Sequence, residues 1–248
     1  MTQIRVMVFP GAHNLPLWLM DSVEIKYTKS RDQQIAAIQD GEVDVIHTSP
    51  DNLSLPDATG LHPFLSGTVG PLELVTVQNA KAQHVLAVDN PHSGFGRLAY
   101  KWLRENRPDL SYEVVAAGGT PQRFEALKIG QATMAVMHPP FTEFCKQAGY
   151  IVMGRVDVGY PTLCAACRED MVQSDAIQNY RQAYADVLQQ LANTEGSSVA
   201  RAVLTENLPD METKLQNEIA EVMRQEVTAA GVDFDPELLS KLNSLPHF

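Results

Sequence analysis

Histidines are the side chains of this sequence with the widest range of chemistry. Four of the seven stand in or beside loops that follow predicted strands, at His13, His47, His92 and His138. An imidazole can bind a metal ion, exchange a proton near neutral pH or donate a hydrogen bond to an anion. No carboxylate or cysteine joins these four in a recognisable ligand spacing, so we expect no metal site but one or two hydrogen-bond donors to a ligand. The alternative is four unrelated loop histidines, with His47 pointing into the sheet.

The start of a predicted helix is the second candidate feature. The loop Asn90-Pro91-His92-Ser93-Gly94-Phe95 opens a helix, with Ser93 and Gly94 at its first turn. Backbone N–H groups and the positive end of the helix dipole at such a start favour an anion or a carboxylate. Simple capping of the helix by Ser93 is the alternative interpretation.

Aromatic side chains near the same loops could hold a flat or apolar ligand. Trp18 and Phe95 are the nearest to predicted loops, and Phe141 and Tyr160 are further candidates for stacking. A structural role in the core is the alternative, especially for Phe141.

Other chemical groups are few. Arg155 and Lys146 are the nearest basic candidates, and either could be an ordinary surface residue. The sequence has no nucleophile elbow, no phosphate-binding glycine loop and no nucleotide fingerprint. We therefore predict no cofactor and name no catalytic residue.

The three cysteines, Cys145, Cys164 and Cys167, do not form a disulfide framework, because their number is odd. Cys164 and Cys167 have the spacing of half a zinc site, but no second pair completes it. The interpretation that we prefer is small residues of the core.

The overall charge excludes some partners. The formal net charge is −11 and no basic cluster is present, so nucleic acid and anionic membranes are poor partners. No apolar run is long enough to predict a membrane span or direct membrane insertion. The chain opens directly into a strand pattern without a signal peptide, which predicts a cytoplasmic protein as the sequence is written, or a periplasmic one if a leader has been trimmed.

Two stretches of the chain share one pattern, and they predict the elements that position these residues. Gln33 to Pro50 and Gln122 to Pro139 align when Gly41 is set on Gly130. Each copy predicts a short amphipathic helix, a glycine that closes it, an apolar strand and a polar loop. Loops at the carboxyl ends of such strands are where open α/β sheets bind ligands.

The pattern predicts an α/β fold with two lobes, each a mostly parallel sheet covered by helices on both faces. Residues 1–79 with 159–248 are predicted to form lobe 1, and residues 80–158 an inserted lobe 2. The chain would cross between the lobes near Leu74–Val77 and Val156–Tyr160, and two crossings make a hinge. From Met171 the pattern becomes helical and predicts a tail that packs on lobe 1, with helices at Ile177–Ala192, Val199–Asn207, Met211–Ala230 and Pro236–Leu245.

Three motifs carry a resemblance to a known family. They are Leu15-Pro16-Leu17-Trp18 after the first strand, Ala-x-x-x-Gly-x-x-Asp over Ala37–Asp44, and Gly-Thr-Pro…Ala-Leu-x-x-Gly…Pro-Pro over Gly119–Pro140. The chain resembles the type II periplasmic-binding-protein fold, in the sulfonate, taurine and thiamin-pyrimidine-precursor branch of ABC-transporter solute-binding proteins. One departure is Thr133, at a position where an acidic residue is common.

The resemblance implies a small polar or anionic organic ligand in a cleft between the lobes and an ABC permease as partner if the protein is exported. A cytosolic enzyme on the same fold, a decarboxylase, lyase or cofactor-biosynthesis enzyme acting on a small carboxylate or heterocycle, is the alternative, because one fold hosts many functions. The predicted ligand-binding residues are His13, Asn14, Trp18, Thr48, Ser49, Asn90, His92, Ser93, Gly94, Phe95, Gly119, Thr120 and His138.

Overall fold

The computed structural model describes residues 3–67, 70–78, 83–160, 162–237, 240–241 and 244–245. The chain divides into two compact units. Unit 1 is Met1–Gly70 with Leu163–Pro236, and unit 2 is Pro71–Thr162 with Glu237–Phe248. No helix within the described ranges is long and apolar enough to cross a membrane.

The secondary structure alternates strands and helices before a helical end. In chain order the strands are β1 (Ile4–Val8), β2 (Val23–Tyr27), β3 (Val45–Thr48), β4 (Leu61–Gly67), β5 (Glu73–Thr76), β6 (His84–Val88), β7 (Tyr112–Ala116), β8 (Met134–Met137), β9 (Ile151–Arg155) and β10 (Leu163–Arg168). The α-helices are α1 (Leu15–Trp18), α2 (Arg31–Gln39), α3 (Gly94–Asn106), α4 (Thr120–Lys128), α5 (Phe141–Gln147), α6 (Asp175–Ala192), α7 (Gly196–Asn207) and α8 (Thr213–Ala230).

The two units contain sheets of the same topology. In unit 1 the strand order is β2-β1-β3-β10-β4, and in unit 2 it is β7-β6-β8-β5-β9. The first three strands of each order are mutually parallel. The fourth, β10 or β5, is antiparallel to both of its neighbours. Each sheet is therefore mixed, with one reversed strand among four that point the same way.

The unit boundaries differ from the predicted lobe boundaries of 79/80 and 158/159. The strand β5 lies between β8 and β9, so unit 2 already begins at Pro71. Unit 2 also extends to Thr162 and includes the last residues from Glu237, which the sequence assigned to lobe 1. The predicted crossing at Leu74–Val77 is therefore wrong in position, because Leu74 is paired within the sheet of unit 2.

The duplicated segment forms the predicted elements in both units. In the first copy α2 begins after Ser30, whose side chain accepts a hydrogen bond from the Gln33 amide, and β3 follows. In the second copy α4 precedes β8. Apolar side chains of these helices and strands form a core in each unit, with Ile38 and Ile46 in one and Leu127 and Met137 in the other.

The three cysteines are buried free thiols, in agreement with their interpretation as core residues. Burial raises the pKa of the Cys145 and Cys167 thiols to about 12, and it also raises that of Cys164. Thiols that stay protonated are poor metal ligands and poor nucleophiles.

The helical end of the chain covers unit 1. The helices α6, α7 and α8 agree with the predicted ones, and each buries one apolar face. Tyr180 and Tyr184 of α6 lie against β3, with the rings 6.3 and 6.1 Å from the imidazole of His47. The predicted helix Pro236–Leu245 lies partly outside the described residues.

Candidate functional site

Unit 2 gathers polar residues at the carboxyl ends of its three parallel strands. Asp89 follows β6, Thr120 begins α4 a few residues after β7, and His138 follows β8. Parallel strands end at the same edge of a sheet, and helices that follow them begin there. The strand topology thus brings loops that are distant in sequence to one edge.

A chain of hydrogen bonds joins three of these side chains. The Arg123 guanidinium donates from Nη2 to the Thr120 hydroxyl over 2.8 Å. The Thr120 Oγ1 lies 2.8 Å from Nε2 of His138, and Nδ1 of His138 lies 2.9 Å from the Pro139 carbonyl oxygen. A carbonyl only accepts, so Nδ1 carries the imidazole proton, and Nε2 therefore accepts the proton of Thr120.

His138 is thereby held as a neutral imidazole. Burial lowers its pKa to about 4, and the nearby positive charge of Arg123 acts in the same direction. Both ring nitrogens already have hydrogen-bond partners within unit 2. In this geometry neither ring nitrogen of His138 is left to donate to a ligand, so any of the one or two histidine donors expected among the four would lie elsewhere; contact of His138 with a ligand stays a prediction.

Arg123 is the residue that sequence reasoning missed. It is 2% exposed, and it also donates to the carbonyl oxygens of Val136 over 2.8 Å and Gly118 over 2.9 Å. Burial lowers its pKa, and the charge of Asp89 opposes that shift. The repeat is the sequence feature that marks this position, because aligning Gly41 with Gly130 pairs Arg123 with Gln34 of the first copy. The basic residues chosen instead are paired elsewhere, Arg155 with Asp157 and Lys146 with Glu73 and Glu143.

The start of α3 is capped by its own serine. Ser93 Oγ accepts a hydrogen bond from the Gly96 amide over 3.0 Å and donates its proton to Asp89. A carboxylate therefore already lies at the helix start where the sequence suggested an anionic ligand. This arrangement is the capping alternative, and it places a negative charge beside the positive end of the dipole.

The remaining predicted residues of unit 2 lie in or just before the first turns of α3 and α4. Asn90 and His92 are exposed, and the Asn90 side chain accepts a hydrogen bond from the His92 amide over 2.9 Å. Gly94 is buried and Phe95 is half-buried in the first turn of α3. Gly119 is the residue before α4. They lie on the predicted loops, and contact with a ligand stays a prediction for each of them.

In unit 1 the loop after β1 contains His13 and Asn14 in a short 3-10 turn, both buried. The Asn14 amide nitrogen donates to the Phe9 carbonyl over 2.8 Å. This bond fixes the orientation of the amide and leaves the buried Oδ1 without a hydrogen-bond partner among the described residues. Trp18 is half-buried, and its indole N–H donates to the Tyr27 hydroxyl over 3.0 Å.

Thr48 is the last residue of β3, and Ser49 begins the loop that follows it. Thr48 is fully buried, and its hydroxyl accepts a hydrogen bond from the side-chain amide nitrogen of Asn52 over 2.8 Å. Ser49 donates its hydroxyl proton to the Asp51 carboxylate. The strand topology thus brings Thr48 and Ser49 to the same edge of the unit 1 sheet as His13 and Asn14.

His47 belongs to the core and not to the loop. Its Nε2 lies 2.7 Å from the Tyr180 hydroxyl, and burial lowers its pKa to about 3. The alternative stated for the sequence, that His47 points into the sheet, is the one observed. Within the described ranges, no group of three His, Cys, Asp or Glu side chains could hold a metal ion.

Comparison with known proteins gives matches at the level of structure. A scan against protein-family models finds no match, and a search of curated proteins finds no relative. The ligand-binding component of an ABC-type import system from Staphylococcus aureus, solved with zinc bound, has a TM-score of 0.77 at 10% identity, over 98% of this chain and 90% of that one.

Two further similar structures come from other bacteria. The periplasmic aliphatic sulphonate binding protein SsuA from Escherichia coli has a TM-score of 0.72 at 11% identity, over 98% of this chain and 89% of that one. The periplasmic nitrate-binding protein NrtA from Synechocystis PCC 6803 has a TM-score of 0.70 at 12% identity, over 96% of this chain and 74% of that one. The predicted fold is thus confirmed: the chain has the two-unit α/β fold of the periplasmic binding proteins.

Proposed function

We propose that this protein binds a small polar or anionic organic molecule, as the solute-binding protein of an ABC-type uptake system. The observation that carries the proposal is the placement of polar side chains at the carboxyl ends of parallel strands in both units. Thr48 and Ser49 stand there in unit 1, and Asp89, Ser93 and Thr120 in unit 2. The predicted position of the ligand between the lobes stays a prediction.

The similar structures support a binding role, because they are the ligand-binding component of an import system, a sulphonate-binding protein and a nitrate-binding protein. The partner that this role implies is an ABC permease, if the protein is exported. Ligand and permease are both part of the proposal, since identities of 10 to 12% carry the fold alone.

One basis of the enzyme alternative is the set of histidines, which could act as acid–base groups. A general base needs a basic nitrogen within reach of the substrate and a pKa near the working pH. The ring nitrogens of His138 are bonded within unit 2, and the imidazoles of His47 and His138 have pKa values of about 3 and 4. These observations favour binding over proton transfer by these two residues.

Native mass spectrometry of protein purified without added ligand tests the proposal. We expect a fraction of the molecules to carry a non-covalent mass of a small organic compound, which dissociates on denaturation and rebinds unchanged to dialysed protein. Recovery of a chemically altered compound after incubation would contradict a pure binding role and support the enzyme. The proposal as a whole would be contradicted if no bound mass were found and if no small solute in a panel shifted the melting temperature.

A further inference from the structure

Asn14 has an acceptor atom without a donor at the carboxyl end of β1 in unit 1. The residue lies in the short turn after β1 and is fully buried, and its amide nitrogen donates to the Phe9 carbonyl over 2.8 Å. Turning the amide over would place its oxygen against that carbonyl, so this bond fixes which atom is left over. Oδ1 is therefore a buried acceptor of fixed direction that has no donor among the described residues.

Gln34 is a second amide in the same state at the same edge of the unit 1 sheet. Its nitrogen donates to the carbonyls of Met7 and His47, which stand one residue before the ends of β1 and β3. Its buried Oε1 also lacks a donor within the described ranges. Native proteins pair the great majority of their buried polar groups, so two unpaired amide oxygens at one strand edge need a physical cause.

Burial and position together indicate what supplies the missing donors. Bulk water does not reach them, because both side chains are closed to solvent. A group that meets these oxygens must itself be enclosed by the protein, as bound ligands commonly are. The carboxyl ends of parallel strands are also where open α/β sheets bind their ligands. A bound ligand is therefore favoured, and a trapped water is the alternative that an experiment must separate from it.

The start of α2 in the same unit does not offer an anion a free positive charge. Nε of Arg31 is a buried donor without an acceptor in the described part of the chain. Both Nη atoms of that guanidinium, however, donate to the Asp57 carboxylate, and Nη2 also donates to the Asn52 carbonyl over 3.1 Å. The positive charge is thus already balanced by a carboxylate, which would repel an anion placed beside it.

We propose that unit 1 binds a hydrogen-bond-donating group of the ligand, an N–H or an O–H, through Oδ1 of Asn14. This inference rests on the proposed function and selects, for the part of the ligand that unit 1 contacts, a polar group with donor protons over an anionic one. A carboxylate or a sulfonate has no proton to donate, and at Oδ1 its oxygens would face another acceptor.

Three probes that share an acetyl group separate these chemistries. Acetamide has N–H donors, N,N-dimethylacetamide has the same carbonyl without a donor, and acetate at neutral pH is an anion without a donor. The chemical shift of the Asn14 side-chain carbonyl carbon is followed by NMR in the full chain at constant ionic strength, because it responds when Oδ1 accepts a hydrogen bond. We expect a saturable shift with acetamide and none with the other two probes.

Asn14→Leu is the decisive variant, because it keeps a side chain of similar size and removes the acceptor. With backbone amides of the turn as the readout, we expect acetamide to bind about tenfold more weakly, the effect of one hydrogen bond. Asn207→Leu is the matched control in the same unit: Asn207 is exposed, and its amide nitrogen likewise donates to a backbone carbonyl, that of Val203. It should bind acetamide like the wild type. The carbonyl shift of the wild type needs no variant, so it decides the question if Asn14→Leu does not fold.

Several outcomes would overturn the inference. They are no saturable shift with acetamide, an equal shift with N,N-dimethylacetamide or acetate, and unchanged acetamide binding in Asn14→Leu. A nuclear Overhauser effect from water to the Asn14 side-chain amide that persists at saturating acetamide would also overturn it, since the acceptor would then belong to a trapped water. The proposed function is judged separately, by the bound mass in native mass spectrometry, and it survives if the recovered ligand is an anion.

Discussion

The two copies of the duplicated segment place different side chains at one position and use them for the same task. Gln34 of α2 donates to the carbonyl oxygens of Met7 over 3.0 Å and His47 over 2.8 Å. Arg123 of α4 donates to the carbonyl of Val136, which aligns with His47 in the repeat. In both units a buried side chain thus ties the helix to the end of the strand that follows it.

A second pair of aligned positions behaves in the same way. Asp44 accepts a hydrogen bond from the Arg5 amide through its carboxylate, and Thr133 accepts one from the Val85 amide through its hydroxyl, both over 2.9 Å. Thr133 was noted as a departure from the acidic residue expected there. The departure changes the group that accepts but keeps the bond that joins the segment to the neighbouring strand. The repeat therefore preserves contacts more strictly than it preserves residue types.

Substitutions at Gln34 and Arg123 are expected to lower the free energy of unfolding more than any other change considered below. Arg123→Met leaves three acceptors short of a donor, two of them buried and one half-buried, and we expect the free energy of unfolding to fall by about 4 kcal/mol. Gln34→Leu leaves two such acceptors, and we expect a fall of about 2 kcal/mol. Urea unfolding of both variants measures the comparison.

Arg123→Gln sharpens the same comparison, because it installs in unit 2 the side chain that unit 1 uses. We expect it to keep the bond to Val136 and to lose less stability than Arg123→Met. Equal losses in the two Arg123 variants would show that the charge, and not the tie to the strand, is what matters in unit 2.

The two buried histidines predict acid sensitivity in both units. His47 and His138 have folded-state pKa values of about 3 and about 4, below the ordinary value of 6.5. Below pH 6.5 the unfolded chain takes up protons that the folded chain does not, so stability is complete above that pH and falls as the pH drops towards 4. At pH 5 we expect each histidine to cost about 2 kcal/mol.

Unfolding free energies measured between pH 5 and pH 7.5 test this expectation. His138→Asn, which can still accept from Thr120, should remove about half of the pH dependence, and His47→Gln should remove the other half. A slope that is unchanged in both variants would assign the acid sensitivity to other groups.

The smallest expected effect concerns the glycine that closes each helix of the repeat. Gly41 and Gly130 have φ angles of +71° and +73°, and an added Cβ would meet at most an ordinary contact at either position. Alanine at each should cost about 1 kcal/mol through backbone strain alone. Gly60 lies outside the repeat with a φ angle of +82° and open space around it, so Gly60→Ala is the matched control. Unequal losses in thermal unfolding would show that the surroundings of the two turns differ.

Local signals in the sequence determined most of the helices and strands. The period of apolar residues, the serine before α2 and the glycine after each repeat helix act within a few residues of the chain, so they can be read without the fold. The alignment of the two copies also implied two similar units, and the motifs pointed to the fold that the structural comparisons confirm. The candidate loops follow from the same reasoning, since they come directly after predicted strands.

Only the tertiary structure decided which groups meet and in which direction protons are shared. His47 is hydrogen-bonded to Tyr180, which is 133 residues away along the chain, and no local pattern encodes that contact. The strand β5 belongs to unit 2 because it pairs with β8 and β9, and strand pairing is a non-local choice. Ser93 and Thr120 look like donors in the sequence, but Asp89 and His138 take their protons, because a hydroxyl donates only once and its partner is chosen by geometry.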